Sequence, residues 1–291
     1  MDLSIVIVNY NTARLLSNAI ESIYKTTKGL RFEIIVSDNG STDGSEGYIK
    51  NNYPDVIWMS NNANLGFSKA NNIGIKMAEG RYILLLNSDT VLVDGCLDSC
   101  LEYMDKHVDI GALGCKVVLP DGRLDAACKR GFPTPTASLY KFLGLPKLFP
   151  KSRVFGQYNL TYLDEDEINE VDCLVGAFMM VRREVLDEVG FLDEDYFMFG
   201  EDIDWCYRIK EAGWKIVYYP KAKIIHYKGG SGRTFKTDYE FHRAMYLFYN
   251  KHYRDKYPLV VGFLVYLGIF FRFFLSILVN WIKRFFRRNK N

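Results

Sequence analysis

The segment LSIVIVNYNT, residues 3–12, decides the fold class of this 291-residue chain. Its first part, residues 3–8, is a mostly aliphatic run rich in β-branched side chains, which favour strands. Apolar residues then recur at helical spacing, at Leu15, Leu16, Ala19, Ile20 and Ile23. A strand followed by a helix, with polar residues where they join, predicts the first βα unit of an α/β domain.

The same alternation continues to residue 86. Strands are predicted at residues 33–36, 56–59 and 82–86, and a helical face at residues 70–77. The last strand is almost continuously apolar, which is typical of a strand buried on both faces of a parallel sheet. We therefore predict a Rossmann-like, mostly parallel central sheet with flanking helices. Right-handed crossovers in such a sheet place a ligand at the carboxyl ends of the strands.

The remainder of the chain is less regular. Further strands are predicted at residues 111–119, 171–181, 214–219 and 222–225, helices at residues 184–189 and 202–212, and loops covering a site at residues 129–164. We divide the chain into residues 1–95, residues 96–235 and a C-terminal helical region at residues 236–291.

Composition excludes some classes of protein. Hydrophobic residues make up 48% of the chain, which is enough for a sizeable core, and the formal net charge of +2 does not favour a nucleic-acid partner. None of the six cysteines forms a CxxC pair, and no signal peptide is evident after Met1. Reduced cysteines in a cytosolic compartment are the simplest interpretation.

The C-terminal region carries a long apolar segment, residues 258–282, interrupted by Arg272 and Asn280. Its length would allow it to span a bilayer, but both flanks are basic, which the positive-inside rule disfavours for a spanning helix. A helix lying in the membrane interface, or a re-entrant hairpin, places both flanks on one side. We expect peripheral or monotopic association with the cytoplasmic face of the membrane. The alternatives are a buried core helix or a dimer surface, and the latter would make the protein a homo-oligomer.

Polar side chains follow three of the predicted strands, at Asn9, Tyr10 and Asn11, at Asp38 and Asn39, and at Asn87, Ser88 and Asp89. These strand ends converge on one crevice in an open parallel sheet. One carboxylate could accept a hydrogen bond from a base N–H, and another could bind Mg²⁺ or Mn²⁺. Asx turns are the alternative explanation. Neither GxGxxG after the first strand nor GxxxxGK[ST] occurs, which argues against a dehydrogenase and a P-loop NTPase.

The chain resembles the family 2 glycosyltransferases, and within them the rhamnosyltransferase-like branch. Five motifs carry the resemblance in order: SIVIVNYNT (4–12), VSDNGSTDGS (36–45), NLGF (64–67), NSDT (87–90) and GEDIDWCYR (200–208). The resemblance implies a GT-A fold, a nucleotide-diphosphate sugar donor, a divalent metal ion and inversion at the anomeric carbon.

The resemblance also assigns residues to the donor. Asp38 would contact the base, and the remaining nucleotide-sugar contacts would come from Asn9, Tyr10, Asn11, Asn39, Gly66, Asn87 and Ser88. The family's DxD motif falls on Asn87-Ser88-Asp89, so that Asp89 must carry most of the metal binding. His226 would complete the metal site, although a lone histidine is more often structural. Lys228 and Arg233, around a Gly229-Gly230 loop, would neutralise the diphosphate.

Three acids near one another follow the aromatic run at residues 196–199. An inverting transfer needs a base that takes the proton of the acceptor hydroxyl. By resemblance this base is Asp202, while Glu201, Asp204 and Trp205 would contact the acceptor. The alternative is that the acids only complement the positive end of a helix dipole.

These expectations point to transfer of rhamnose from dTDP-rhamnose to a lipid-linked or polysaccharide acceptor in cell-envelope glycan synthesis. The sugar rests on the resemblance alone, and UDP-glucose, UDP-galactose and UDP-GlcNAc stay open. A nucleotidyltransferase would need a Gly-rich basic loop after the first strand, where the sequence has Asn9-Tyr10-Asn11-Thr12. A non-catalytic membrane scaffold on the same fold is a further alternative.

Overall fold

A computed structural model describes residues 1–228 and 234–288 of the chain, with side chains through residue 281. Its first half follows the predicted alternation, with the elements β1 (Leu3–Asn9), α1 (Ala13–Thr26), β2 (Phe32–Asp38), α2 (Ser45–Asn52), β3 (Ile57–Ser60), α3 (Phe67–Met77) and β4 (Tyr82–Asn87). The four strands lie in the order β3-β2-β1-β4 and are parallel. The predicted strands of this half are confirmed to within two residues at each end, and α2 was not predicted.

The second half continues the same sheet. Its elements are β5 (Thr90–Leu92), α4 (Cys96–Lys106), β6 (Ile110–Val118), α5 (Pro135–Phe142), α6 (Leu145–Leu148), β7 (Asn169–Glu170), β8 (Phe178–Arg182), α7 (Arg183–Val189), α8 (Glu201–Glu211) and β9 (Lys215–His226). The order β3-β2-β1-β4-β8-β6-β9-β5 makes one sheet in the described residues, with β8 antiparallel to β4 and β6, and β7 paired with β9. One sheet therefore runs through both predicted halves.

Three expectations for this half need correction. The loop segment 129–164 contains α5 and α6, and only the end of segment 171–181 is a strand, because Cys173 instead bridges to Arg130. The strands predicted at residues 214–219 and 222–225 are one strand, β9. Its register against β6 shifts after Tyr219, where Pro220 lacks the N–H that a regular ladder requires.

The core lies on both faces of the sheet. Residues of β1 and β4 are almost completely buried, as expected for strands covered by helices on both sides. All six cysteines are buried and free.

The C-terminal region consists of two helices, α9 (Phe235–His252) and α10 (Leu259–Arg288). The expectation of a re-entrant hairpin is wrong, because the apolar segment forms one continuous helix. Its stretch Leu259–Trp281 has a mean hydropathy of 2.2 and is long and apolar enough to cross a membrane. One side of α10 packs on α9, and most of its large apolar side chains are exposed.

Candidate active site

Asn9 and Asp38 lie side by side because β1 and β2 pair in parallel register through these two residues. Asn9 Nδ2 donates to Asp38 Oδ1 at 2.8 Å. Ser41 donates to the same carboxylate from its backbone N–H at 2.9 Å and from its hydroxyl at 2.6 Å. Asp38 is only 5% exposed, so it is held rigidly. A carboxylate offers about four lone-pair sites, which leaves capacity for a base N–H.

Tyr10 and Asn11 continue from β1 along the rim of the crevice. Tyr10 is 48% exposed and presents its ring at the strand end, as stacking on a base would require. Asn11 has a left-handed backbone with φ of 53°, which asparagine tolerates better than most residues. Its Oδ1 accepts a hydrogen bond from Thr42 N at 2.8 Å. The rim is therefore fastened to the loop after β2.

Thr12 joins the ends of β1 and β4. Its hydroxyl lies 2.7 Å from Asn9 Oδ1 and 2.9 Å from Ser88 Oγ. The structure thus brings together all three strand ends that the sequence analysis singled out.

Asn39 and Gly66 shape this edge from inside. Asn39 is 3% exposed, and its Nδ2 donates to the Gly66 carbonyl at 3.0 Å. Gly66 has φ of 86°, and a Cβ there would lie 2.4 Å from the Phe197 carbonyl oxygen. These contacts draw the loop before α3 against the segment that precedes α8. Both residues belong to the framework of the site, and their predicted contact with a nucleotide stays a prediction.

Asp89 and His226 form the centre of a second cluster, placed by the antiparallel pairing of Thr90 with His226. His226 Nε2 lies 3.1 Å from Asp89 Oδ1 and 3.5 Å from Asn87 Nδ2. His226 is 6% exposed. The two predicted metal ligands are therefore neighbours, with Asn87 beside them.

Asp125 stands behind His226. Its Oδ2 lies 3.5 Å from His226 Nδ1, and its Oδ1 accepts from Lys228 Nζ at 2.8 Å. Lys228 was predicted to face a diphosphate. Its side chain is half-exposed, so it reaches the rim while paired with this carboxylate. Arg233 and the Gly229-Gly230 loop lie outside the described residues.

The charged groups of this cluster shift one another's pKa values. Burial alone would lower the pKa of His226, but the carboxylates of Asp125 and Asp89 outweigh it and raise the pKa to about 9. Burial likewise opposes the charge of Asp125, yet His226 and Lys228 hold the pKa of that carboxyl well below its usual range. The two carboxylates thus favour positive charge at this position: a proton on the imidazole, or a metal ion that takes the place of that proton.

The side chains of Asp89, His226 and Asn87 could bind a metal ion whose remaining ligands come from a substrate. Among the described residues, no group of three or more His, Cys, Asp or Glu side chains is arranged to bind a metal ion. Asn87 Oδ1, however, is buried without a hydrogen-bond partner, close to His226 and the end of the NSD motif. Mg²⁺ sites commonly use one or two carboxylates and take further oxygens from substrate phosphates. Asp89, His226 and Asn87 suit such an incomplete site.

Asp202 lies in the first turn of α8, between Glu201 and Asp204, and is 9% exposed. Arg130 Nη2 donates to its Oδ2 at 2.6 Å, and Gly176 N donates to the same oxygen at 3.3 Å. The Arg130 guanidinium is also buried and donates to the Leu174 carbonyl. Burial disfavours its charge, but Asp202 raises the pKa of Arg130 well above its ordinary value. The carboxylate is therefore charge-compensated and fixed in orientation.

A short segment before β8 connects Asp202 with the cluster of Asp89 and His226. Gly176 N contacts the Asp202 carboxylate, and the next residue, Ala177, accepts from Asn87 N through its carbonyl at 3.1 Å. Asn87 in turn neighbours His226. The acid on α8 thus lies at the same edge of the sheet as the three strand ends.

Glu201 is a second buried carboxyl beside Asp202. It is 6% exposed, and its Oε2 has no hydrogen-bond partner. Burial, together with the negative charge of Asp202, raises the pKa of Glu201 from its ordinary 4.5 to about 8. A protonated carboxyl at this place can donate a hydrogen bond as well as accept one.

Asp204 and Trp205 have partners inside the protein. Asp204 is 1% exposed and pairs with Arg208 at 2.9 Å and His252 at 2.7 Å. Trp205 is fully buried, and its indole N–H donates to the Gly190 carbonyl. Because neither side chain reaches the surface, we leave both out of the acceptor site proposed below.

The sequence analysis missed Asp125 and Arg130, the two residues that hold His226 and Asp202. Arg130 comes from the segment 129–164, which was predicted only as loops, and Asp125 from the short stretch before it, for which no element was predicted. Neither stands in a periodic pattern or near the motif that it supports, so no local signal marks them.

The family model described as glycosyltransferase-like family 2 matches residues 2–244. The chain belongs to this family. Among curated proteins, this glycosyltransferase is 29% identical over 259 residues to the N-acetylglucosaminyl-diphospho-decaprenol L-rhamnosyltransferase of Mycobacterium tuberculosis, a match covering 84% of this chain and 83% of that one. It is 27% identical to the rhamnosyltransferase WbbL of Escherichia coli over 79% of this chain and 85% of the relative.

A solved structure supports the fold. GalNAc-T7 with UDP, GalNAc and Mn²⁺ superposes with a TM-score of 0.59 at 18% identity. The match covers 84% of the glycosyltransferase but only 48% of that longer chain. Together with the family match, it confirms the expected α/β class and GT-A fold. The chain is a glycosyltransferase of the rhamnosyltransferase-like kind, related to enzymes of cell-envelope glycan synthesis.

Proposed function

We propose that the glycosyltransferase moves a deoxyhexose, rhamnose from dTDP-rhamnose, to a lipid-linked acceptor with inversion at the anomeric carbon. The observation that carries the proposal is the connection from Asp202 through Gly176 and Ala177 to Asn87 and His226. It joins a buried carboxylate, suited to be a base, to residues suited to hold a diphosphate. The rhamnosyl donor follows the names of the two relatives.

The donor side is formed by the three strand ends. The exposed ring of Tyr10 stacks on the nucleotide base, and Asp38 accepts its N–H. Asp89, the neutral imidazole of His226 and the amide oxygen of Asn87 would hold a Mg²⁺ or Mn²⁺ ion when the nucleotide diphosphate is bound. Such an ion supplies positive charge that stabilises the departing nucleotide diphosphate. Asp125 contributes by orienting His226, as carboxylates behind histidine ligands do.

Asp202 acts on the acceptor. The acceptor oxygen forms a bond to the sugar C1 while the bond from C1 to the phosphate oxygen breaks, and the bonding pair leaves with the nucleotide diphosphate. The proton of the acceptor hydroxyl passes to the Asp202 carboxylate. Arg130 and the Gly176 N–H hold Asp202 Oδ2, and the Ile203 N–H donates to Oδ1 at 2.8 Å, so that the second lone pair of Oδ1 can take this proton. We propose that Glu201, neutral at pH 7, donates a hydrogen bond to the acceptor.

The contacts of α10 favour a helix lying in the membrane plane. Tyr266 donates to Asn250 of α9 at 2.6 Å, and the Phe273 ring lies 5.2 Å from that of His242. Because α9 also carries ionisable residues such as Arg243 and Lys251, a spanning α10 would bring them into the hydrocarbon layer, where they are strongly disfavoured. The exposed side of α10 repeats large apolar residues every three or four positions, including Phe263, Phe270 and Phe274. We infer peripheral or monotopic attachment through this side.

The test is a panel of dTDP-, UDP- and GDP-sugars with Mn²⁺ and a polyprenyl-diphosphate-linked acceptor. We expect release of nucleotide diphosphate with one donor, loss of turnover on chelation, and a product whose anomeric configuration is opposite to that of the donor by NMR. Asp89→Asn should abolish metal-dependent turnover, whereas the exposed control Asp55→Asn should not. Turnover with a UDP-sugar alone would reject the rhamnosyl donor, and no turnover with any donor would favour a scaffold.

A further inference from the structure

A second surface besides α10 combines exposed apolar side chains with positive charge. Residues 126–163 contain six lysines and arginines and no acid. Two of these cations, Lys129 and Arg130, are buried. The exposed cations are Lys141, Lys147, Lys151 and Arg153. The large exposed apolar residues are Leu139, Phe142, Leu143, Leu148, Phe149 and Val154. We call these ten residues the 139–154 surface.

The 139–154 surface is built on a defined support. Thr134 caps α5 by accepting from Ala137 N, with Pro135 at the first helical position. The Tyr140 and Phe155 rings pack at 5.1 Å, and the Lys141 ammonium lies 3.6 Å from the centre of the Tyr158 ring. Aromatic side chains of the same segment thus form its inner side, while the six apolar residues stay outside.

This surface adjoins α10. Phe132, just before α5, packs on Tyr207 at 4.9 Å, in an aromatic cluster that includes Val265 and Tyr266 of α10. Partial burial and the charges of Arg130 and Arg272 together lower the pKa of Lys141 to about 8, so the middle of α10 lies within electrostatic reach of α5. The segment that leads into the 139–154 surface therefore packs beside α10.

We propose that the 139–154 surface is a second membrane contact of the glycosyltransferase, one that docks on an anionic phospholipid bilayer. The inference rests on the proposed membrane association of α10. Lys147, Lys151 and Arg153, with no acid between them, complement anionic headgroups, and lysine stems can lie along apolar surface while their ammonium groups stay in water. A protein partner is less suited to this face, because the centres of protein interfaces are depleted of lysine.

The position of the surface gives it a function in the reaction. Arg130, which holds the base Asp202, lies five residues before α5, and its charge also acts on Lys141. A bilayer bound by both α10 and the 139–154 surface would meet the protein close to this ion pair. A lipid-linked acceptor could then reach Asp202 without leaving the membrane surface.

The test uses single labelled cysteines in the full chain, since all six native cysteines are buried. Leu143→Cys reports on the 139–154 surface, Leu267→Cys on α10, and Val108→Cys serves as the control. Val108 is 74% exposed and precedes β6, which places it at the edge of the sheet opposite the site. Each variant is labelled with an environment-sensitive fluorophore and mixed with vesicles of phosphatidylcholine, with or without phosphatidylglycerol.

We expect a blue shift and quenching by nitroxide-labelled lipids at positions 143 and 267 with anionic vesicles, and no change at position 108. Insertion at 267 without any change at 143 would overturn the second contact and leave the proposed role of α10 intact. No change at 267 would reject the role of α10 itself. A change at 143 that appears without vesicles and grows with protein concentration would identify a contact between copies and overturn the proposal.

Vesicle binding by variants that lack these positive charges tests the proposal independently. Replacing Lys147, Lys151 and Arg153 together by glutamine should weaken binding to anionic vesicles by about fivefold for each cation that lies at the bilayer surface. The matched control replaces Lys25, Lys50 and Lys106, which are exposed cations on other helices, and lowers the net charge equally. Equal weakening by both triple variants would overturn the proposal.

Discussion

The buried pair of Arg130 and Asp202 allows a quantitative prediction. The two side chains meet at 2.6 Å and are 9% and 11% exposed, so water screens neither charge. Arg130→Met removes the guanidinium, keeps an unbranched apolar stem, and leaves the carboxylate buried without its cation. Exposed ion pairs contribute about 0–1 kcal/mol to stability, whereas breaking a buried pair lowers it by about 3–5 kcal/mol.

We therefore expect Arg130→Met to lower the free energy of unfolding by about 3–5 kcal/mol. At about 2–4 °C per kcal/mol, this corresponds to a fall in Tm of at least about 6 °C. In the Asp202→Asn background the same substitution should lower stability by less than about 2 kcal/mol, because no buried charge is then left unpaired.

The assay is a double-mutant cycle read by thermal denaturation of the purified full chain. The matched control is the pair of Arg81 and Asp105, which has the same chemistry at 2.9 Å but is 54% and 40% exposed. Arg81→Met and Asp105→Asn should each change Tm by less than about 4 °C. A cycle for Arg130 and Asp202 with no more coupling than the control would refute the reasoning.

Three further predictions concern the rest of the site. Glu201→Gln should raise Tm more at pH 8 than at pH 5. The folded protein keeps the Glu201 proton up to about pH 8, whereas the unfolded chain loses it near pH 4.5, so this carboxyl makes the stability fall as pH rises between those values. Equal shifts in Tm at both pH values would contradict the raised pKa of Glu201. Asp125→Asn should weaken Mn²⁺ binding in the presence of nucleoside diphosphate by about 10–100-fold, measured by calorimetry, because His226 loses the carboxylate that orients it, and unchanged affinity would remove this role. Gly66→Ala should destabilise the fold and weaken nucleotide binding, since its Cβ would lie 2.4 Å from the Phe197 oxygen, and normal binding would show that the loop moves freely.

The parallel half of the fold could be predicted because each of its strands and helices is marked by a pattern within its own short stretch of sequence. Aliphatic runs of the length of β1 and β4, separated by helical periodicity, determine a parallel sheet almost by themselves. The same locality placed Asn9, Asp38 and Ser88 at one edge, since carboxyl ends of parallel strands must meet there. The shape of the C-terminal region was less predictable, because a continuous helix and a hairpin share one composition.

The supporting residues could not be predicted because their contacts are distant in sequence. Arg130 meets Asp202 across 72 positions, and Asp125 meets Lys228 across 103. The orientation of α8 was equally hidden: the i,i+4 spacing of Asp204 and Arg208 is visible in the sequence, but it does not reveal that His252 of α9 meets Asp204 inside the protein. Only the packing of α9 against α8 determines this.

The most direct test of the central claim compares donor binding with sugar transfer in Asp202→Asn. If Asp202 is the base of a site whose donor side is formed by the strand ends, the variant should bind the nucleotide sugar with unchanged Kd. It should also lose about 10²–10⁴-fold in kcat, the range of a positioned general base. A variant that binds the donor and transfers the sugar at a nearly normal rate would contradict the account.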